Sequence, residues 1–452
     1  MKAFELDRRV VESYAAFTRS FATPRAADIK SAVDSEYAAG RFWPDALLSL
    51  NPAFAHGITA DQLVAQGVIL PETAQVFRKN GAPFGFYRHQ VEAIGKARAN
   101  QSLVVTTGTG SGKSMCFFVP IIDACIRARQ AKEPRRTRAI IVYPMNALAN
   151  SQLKEITEFL DASGLPEGLR PTVARYTGQE DEAKRLAAAE NPPDILLTNF
   201  MMLELLLTRQ DKQDQTIIAN AQGLRFIVLD ELHTYRGRQG ADVAILVRRL
   251  RDRTQGSTPP LCIGTSATMA NDGDATAIQA TVAQVASRIF GTPIGPDAVI
   301  GETLRRATDD SLSLDSILPS LAKAVVSPLP EPLTDAALKT HPLAVWVEMA
   351  LGLDDDGALK RRKPVAFGDA VARLASATDL SSETCRAALE TFLTRASQPK
   401  TARGGSGTSA FLAFKLHRFV SGSGEIYTTL RPAPRNTCLL YTSDAADEED
   451  SV

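Results

Sequence analysis

From about residue 100 to residue 270 the chain alternates short β-branched apolar runs with stretches of helix length, and nothing else in it restricts the fold as much. The runs are SLVVTT, RAIIVYP, TVARYTG, DILLTN, LRFIVLDE and PLCIGTSAT, separated by segments such as 113–130, 146–161 and 239–252. A strand that is apolar at consecutive positions is buried on both faces, and parallel strands need long crossovers between them. The expected class is therefore α/β, a doubly wound parallel sheet covered by helices. Residues 1–80 read as a helical extension, with breaks at Pro24, WPDALLSLNP and GITAD. Residues 273–436 read as a mostly helical accessory region, broken by SPLPEPLT and by TARGGSGTSA, a flexible linker or loop by composition. The expected division is 1–80, 81–272, 273–436 and a tail, 437–452.

The 452 residues allow two or three domains, and 44% hydrophobic with 23% charged residues is the composition of a globular protein. No apolar run reaches the eighteen or so residues of a membrane span. The start, MKAFELDRRVVESY, lacks the apolar core of a signal peptide, so the cytoplasm is the expected compartment. Cys116, Cys125, Cys262, Cys385 and Cys438 show no C-x-x-C spacing and read as buried or incidental thiols, with no zinc site or disulfide framework. Lys and Arg number 51, as do Asp and Glu, but SDAADEED in the tail holds five of the acids, leaving the rest with a small basic excess. The basic clusters RARQAKEPRRTR (127–138) and RRLRDR (248–253) read as a solvated helix end and a solvated helix face.

Three polar segments leave the ends of apolar runs. The first, TTGTGSGKS (106–114), has the strand–loop–helix setting of a phosphate-binding loop. Gly108, Gly110 and Gly112 allow backbone N–H groups to turn inward around phosphate oxygens. Lys113 would reach the β/γ-phosphates, and the Ser114 hydroxyl would ligate Mg²⁺. The strict pattern asks for Gly where this chain has Thr107, so a plain Gly-rich turn is the competing reading. The second segment, FIVLDELHTYRG (226–237), sets Asp230 and Glu231 at the end of a buried strand. Asp230 would hold Mg²⁺ through its water shell, and Glu231 would position an attacking water. The alternative is an acidic turn capping the next helix. The third, GTSAT (264–268), is by itself a Ser/Thr turn.

Taken in order, T-G-x-G-K-S, D-E-x-H and S-A-T resemble motifs I, II and III of superfamily 2 (DEAD/DEAH-box) helicases. Motif I of that family begins with a small residue, which accommodates Thr107. The resemblance implies a RecA-like P-loop NTPase fold with ATP and Mg²⁺ as cofactors. It assigns nucleotide binding to Gln90, Thr107, Gly108, Thr109, Gly110, Ser111, Gly112, Lys113 and Ser114. Lys113, Asp230, Glu231 and His233 form the implied catalytic set, with Ser114 and Asp230 on the metal. YRHQVEAI (87–94) resembles the Q-motif, in which Gln90 would pair with adenine N6 and N7, a carboxamide being donor and acceptor at once. Tyr87 or Phe86 would pack on the base, or belong to the core.

YPMNALANSQ (143–152), YTGQ (176–179) and LLTNFMMLELLL (196–207) resemble the family's strand-contacting motifs. They put Asn146, Gln152, Thr177, Gly178 and Thr198 on the nucleic-acid backbone, while Ser266 and Thr268 would couple the two sites. The apolar residues of MMLELLL are assigned to the core. DELHTYRG together with YRHQ is similar to the Lhr-like and mitomycin-repair (MrfA-type) branch of DExH DNA helicases; Arg236 and Gly237 receive no role. The implied partner is single-stranded or partly duplex DNA, in repair or phage defence, and no membrane. Alternatives are a DExH RNA helicase and a nucleotide-gated nucleic-acid-binding subunit without unwinding activity. A complete family member has a second RecA-like domain with the arginine motif Q-x-x-G-R-x-G-R, and residues 271–452 contain no such stretch. The tail, CLLYTSDAADEEDSV, resembles translated sequencing-adaptor read-through. The expectation is a non-native ending on an N-terminal fragment that is inactive as a motor on its own.

Overall fold

The computed structural model describes residues 3–21, 24–38, 43–108, 110–235, 237–267, 275–355, 358–420, 425–429, 432–435 and 437–440. The chain divides into two compact units, 54–303 and the pair of segments 1–53 and 304–452. Among the described residues no helix is long and apolar enough to cross a membrane.

In the unit 54–303 every apolar run of the alternating region becomes a strand. They are β1 (Leu103–Thr106), β2 (Ala139–Tyr143), β3 (Val173–Tyr176), β4 (Ile195–Asn199), β5 (Phe226–Leu229) and β6 (Leu261–Ser266), joined by a short β7 (Val299–Gly301). All seven are parallel, in the spatial order β7-β1-β6-β5-β2-β4-β3. Every residue of β2, β5 and β6 is buried, so helices cover both faces of the sheet's centre, as the unbroken apolar runs require. The helices that matter for the site are α1 (Arg88–Arg98), α2 (Met115–Gln130), α3 (Asn146–Ala162), α4 (Phe200–Thr208) and α5 (Gly237–Arg253). The α/β doubly wound class is thus as expected.

The division of the chain differs from the sequence expectation. Ala60, Leu63, Ile69, Val76 and Phe77 belong to the same core as the sheet, and so do Phe290, Val299 and Ile300. The compact unit therefore extends beyond 81 and 272 at both ends. Its outer strand β7 has three residues, too short to stand out as an apolar run.

The other unit has its own core, built around Leu48, Leu50, Leu321, Trp346, Leu374, Leu389 and Phe392. Leu47–Asn51 is the middle strand of an antiparallel sheet, between Val365–Ala366 and Ala413–His417. The WPDALLSLNP stretch, expected as a break between helices, contains this strand; its partners lie more than 300 residues along the chain, beyond any local signal. TARGGSGTSA is a tied loop: the buried Arg403 pairs with Asp335 and donates to the carbonyls of Gln398 and Ser409 at 3.1 and 3.2 Å. Residues 441–452 of the tail lie outside the described residues.

Glu348 is the most demanding polar group of this second core. It is 1% exposed, and its carboxylate accepts the N–H of Ala307 (2.7 Å), the N–H of Thr308 (2.9 Å) and the Thr308 hydroxyl (2.6 Å). Truncation would leave three buried donors without an acceptor, each costing about 1–3 kcal/mol. Glu348→Ala is expected to lower the unfolding free energy of this unit by at least about 3 kcal/mol in urea titration. A change below about 0.5 kcal/mol, the range of ordinary surface substitutions, would contradict the assignment.

Candidate nucleotide site

Strand β1 is followed by β2 three places away in the sheet, and β5 and β6 later return to fill the gap. The carboxyl ends of β1, β6 and β5 consequently lie side by side. In open parallel sheets this is where ligands bind. The three polar segments singled out above leave these three strand ends.

The loop after β1 is gripped from within. Thr107 is fully buried; its N–H donates to the Ser266 carbonyl at 3.3 Å, and its hydroxyl shares a hydrogen bond with Ser111 Oγ at 2.6 Å. A small residue with a hydroxyl suits this place, which is why the departure from Gly does no harm. Gly110 and Gly112 adopt φ of +83° and +67°, and a Cβ at position 112 would lie 2.6 Å from Gln90 Nε2. Both the backbone conformation and the space at Gly112 therefore demand glycine. Lys113 Nζ donates to the Thr107 carbonyl at 3.1 Å and lies 3.9 Å from Glu231 Oε1. Ser114 precedes α2, and its hydroxyl makes no capping bond to that helix. Thr109 lies outside the described residues.

At the end of β5, Asp230 accepts the hydroxyl of Thr265 from β6, and Thr265 Oγ1 in turn accepts the N–H of Glu231 at 3.1 Å. Burial pushes the Asp230 carboxyl above its usual range; the nearby Glu231 adds to this, against the opposing Thr265 hydrogen bond and Lys113 charge. Glu231 sits in the left-handed region at φ +54°, a strained conformation for a residue with a side chain. Its Oε2 is buried without a hydrogen-bond partner among the described residues, 3.2 Å from His233 Nδ1. His233 Nδ1 accepts the N–H of Ala267 at 3.2 Å. Lys113, Asp230, Glu231 and His233 are thus brought together, with Ser266 buried beside them.

Gln90 is placed differently from the expectation of an adenine contact. Its Oε1 accepts the Tyr87 N–H at 2.8 Å, closing the first turn of α1, and its Nε2 donates to the carbonyls of Ser111 (3.1 Å) and Gly112 (2.9 Å). It is 1% exposed, with both amide protons engaged by the loop. His89 Nε2 adds a second bond to the Ser111 carbonyl at 3.0 Å. Of the two aromatic candidates, Phe86 is core, packed on Phe77 and Phe84. Tyr87 is half-buried in a cluster with Phe54, His56 and His89.

The residues expected along a nucleic-acid strand gather at the ends of β2, β3 and β4. Asn146 Oδ1 accepts from Asn199 Nδ2 at 2.6 Å, and the same Nδ2 donates to the Thr177 carbonyl at 3.1 Å. Asn199 also caps α4 by accepting the Met202 N–H at 2.7 Å, a role its place before the FMMLELLL helix could have signalled. Thr177 and Gly178 direct their N–H groups to Glu180 Oε2 at 2.7 and 3.0 Å. Gln152 Nε2 donates to Glu155 at 3.2 Å. Thr198 is fully buried, the last of four consecutive buried residues of β4, and its hydroxyl donates to the Tyr176 carbonyl at 2.7 Å. Of MMLELLL, Met202, Leu203, Leu206 and Leu207 are core while Met201 is exposed. Thr268 and Arg236 lie outside the described residues.

Residues 87–275 match the DEAD/DEAH box helicase family. They form a DEAD/DEAH box helicase domain. This domain is 32% identical over 188 residues to the uncharacterized ATP-dependent helicase YprA of Bacillus subtilis, covering 41% of this chain and 23% of that protein. It is 30% identical over 165 residues to the ATP-dependent helicase HRQ1 of Saccharomyces cerevisiae (36% and 14%). To the Lhr helicase/probable uracil glycosylase of Mycolicibacterium smegmatis it is 32% identical over 182 residues (38% and 11%). The matched part spans less than a quarter of the length of these relatives. The family read from the motifs, and its Lhr-like branch, are borne out.

The raised Asp230 carboxyl has a consequence for stability. A folded state that holds this proton more tightly than the unfolded chain gains stability at low pH, and loses it as pH rises through the folded value. Asp230→Asn removes the buried charge and keeps an acceptor for Thr265. It is expected to raise the melting temperature of the nucleotide-free protein at pH 7.5 by about 2–4 °C, and the gain should shrink as pH falls toward 4. Melting curves at the two pH values decide it; a lower melting temperature at pH 7.5 would contradict the burial argument.

Proposed function

We propose that the unit 54–303 is the first motor domain of an ATP-dependent DNA helicase or translocase, which binds ATP with Mg²⁺ and a strand of nucleic acid. One observation carries the reading: the Lys113 ammonium is poised between the Thr107 carbonyl and Glu231, beside a strained carboxylate whose Oε2 has no hydrogen-bond donor among the described residues. Such an arrangement is incomplete by itself and fits a bound polyphosphate and metal. Ser114 and Asp230 would hold the Mg²⁺, whose charge offsets that developing on the phosphates.

The chain's own residues divide the work. Amides at Gly110, Gly112 and Lys113 would cradle phosphate oxygens. Lys113 places a positive charge where they converge, and Thr265 fixes Asp230 and the Glu231 backbone together. Glu231 would orient the attacking water through its free oxygen. His233, whose Nδ1 accepts the Ala267 N–H, stands 3.2 Å from that carboxylate. Gln90 supports the loop from beneath and would sense the nucleotide through Ser111 and Gly112. Asn146, Gln152, Thr177, Gly178, Thr198, Ser266 and Thr268 are the proposed nucleic-acid and coupling set, with Thr198 buried within β4. That YprA and HRQ1 are named ATP-dependent helicases supports the same reading.

Lys113→Ala is expected to weaken binding of a fluorescent ATP analogue by about a hundredfold, the scale of lost charge-assisted hydrogen bonds. Glu231→Gln should retain affinity within a few-fold. Unchanged affinity in Lys113→Ala would end the assignment of this loop. Binding of single-stranded DNA, followed by fluorescence anisotropy, should be independent of sequence. It should fall with salt at a log–log slope of about −0.7 per phosphate contacted. Tighter binding to RNA of equal length would favour the RNA-directed alternative, and insensitivity to salt would contradict backbone contact altogether.

A further inference from the structure

The loop that would hold phosphates is fixed on one side by β6, through the Thr107 N–H on the Ser266 carbonyl. On the other side it meets β7, which lies beyond the matched helicase domain at 87–275. In the parallel register Gly301 stands opposite Thr106, so Glu302 leaves the sheet level with the loop's first residue. Its Oε2 accepts the N–H of Gly108 at 2.9 Å, and one step earlier the Thr106 hydroxyl donates to the Ile300 carbonyl at 3.3 Å. The same carboxylate acts electrostatically on His89, which itself bonds the loop at Ser111. Glu302 is half-buried beside a cavity of about 350 Å³ lined by Glu92, Gln279 and Asp297.

We infer that Glu302 is a positioning residue of the nucleotide site: its carboxylate pins the Gly108 N–H and so sets the entry of the phosphate loop before nucleotide arrives. This rests on the reading of TTGTGSGKS as that loop. The physical need is plain. Two glycines with positive φ make the loop permissive, and a permissive loop must be ordered at the moment of binding unless something has ordered it already. Buried Thr107 and the Gln90–His89 pair fix its start and its far side. Glu302 fixes Gly108, between them. A hydrogen bond from a backbone N–H to a carboxylate is among the stronger kinds, and the loop's N–H has one acceptor here that a neutral residue of the right shape could replace.

That last point supplies the test. Glu302→Gln keeps a side-chain oxygen in reach of Gly108, whereas Glu302→Ala removes it. In the nucleotide-free protein, amide exchange at Gly108 should be slow in wild type and Gln and accelerate about tenfold or more in Ala. Affinity for a fluorescent ATP analogue should fall about tenfold in Ala and stay within about twofold in Gln, with melting temperatures alike in all three. Equal exchange at Gly108 in wild type and Ala would overturn the inference. So would tighter ATP binding in both variants, which would make Glu302 an electrostatic obstacle. If wild type failed to bind ATP while the exchange pattern held, the proposed function would fall and the pinning of the loop would stand.

Discussion

All seven strands of the sheet run in one direction, and this single constraint arranges the rest of the molecule's chemistry. The central strands are buried on both faces and are mostly apolar, so charged groups collect where strands end. Because the direction is shared, all the carboxyl ends lie along one edge. Because β1 is followed by a jump, the ends of β1, β6 and β5 become neighbours. Lys113, the Asp230–Glu231 pair and the Thr265–Ala267 stretch are therefore assembled by topology, and fine positioning falls to a few hydrogen bonds between adjacent strand ends.

Those bonds leave the site under tension. A carboxyl at Asp230 is raised by burial, Glu231 holds a left-handed backbone conformation, and one of its oxygens lacks a donor among the described residues. The buried carboxyl and the oxygen without a donor cost stability in the bare protein, and a partner bringing cationic charge and hydrogen bonds would offset both. The surrounding contacts hold this strained end in place. Thr265 serves both carboxylate residues at once, and Gln90 and His89 support the glycine loop from the first turn of α1.

Much of this could be read directly from the sequence, for a physical reason. A loop of Gly110, Gly112 and Lys113, or an Asp–Glu pair ending an apolar run, is a local pattern, and local patterns survive in one dimension. The burial of Thr107 explains why its departure from glycine is harmless, but only the structure shows the Ser111 hydroxyl that satisfies it. Thr198, expected along the nucleic-acid strand, lies in a strand buried at four consecutive positions, and motif resemblance does not show the Tyr176 carbonyl that its hydroxyl meets. The Q-motif resemblance implies a base contact for Gln90, but its engagement with two loop carbonyls depends on a packing of α1 that no spacing reveals. Pairings across long stretches of chain were invisible altogether: β7 with β1, Glu302 with Gly108, and the strand Leu47–Asn51 with Ala413–His417.

The central claim is that nucleotide binds across the ends of β1, β5 and β6. Amide hydrogen exchange over the whole chain, with and without Mg·ATP, tests it most directly. Protection is expected at 107–114, at 230–233 and at 265–267, with no change in the core around Trp346 and Phe392. Protection confined to another part of the chain, or none at saturating Mg·ATP, would contradict the account.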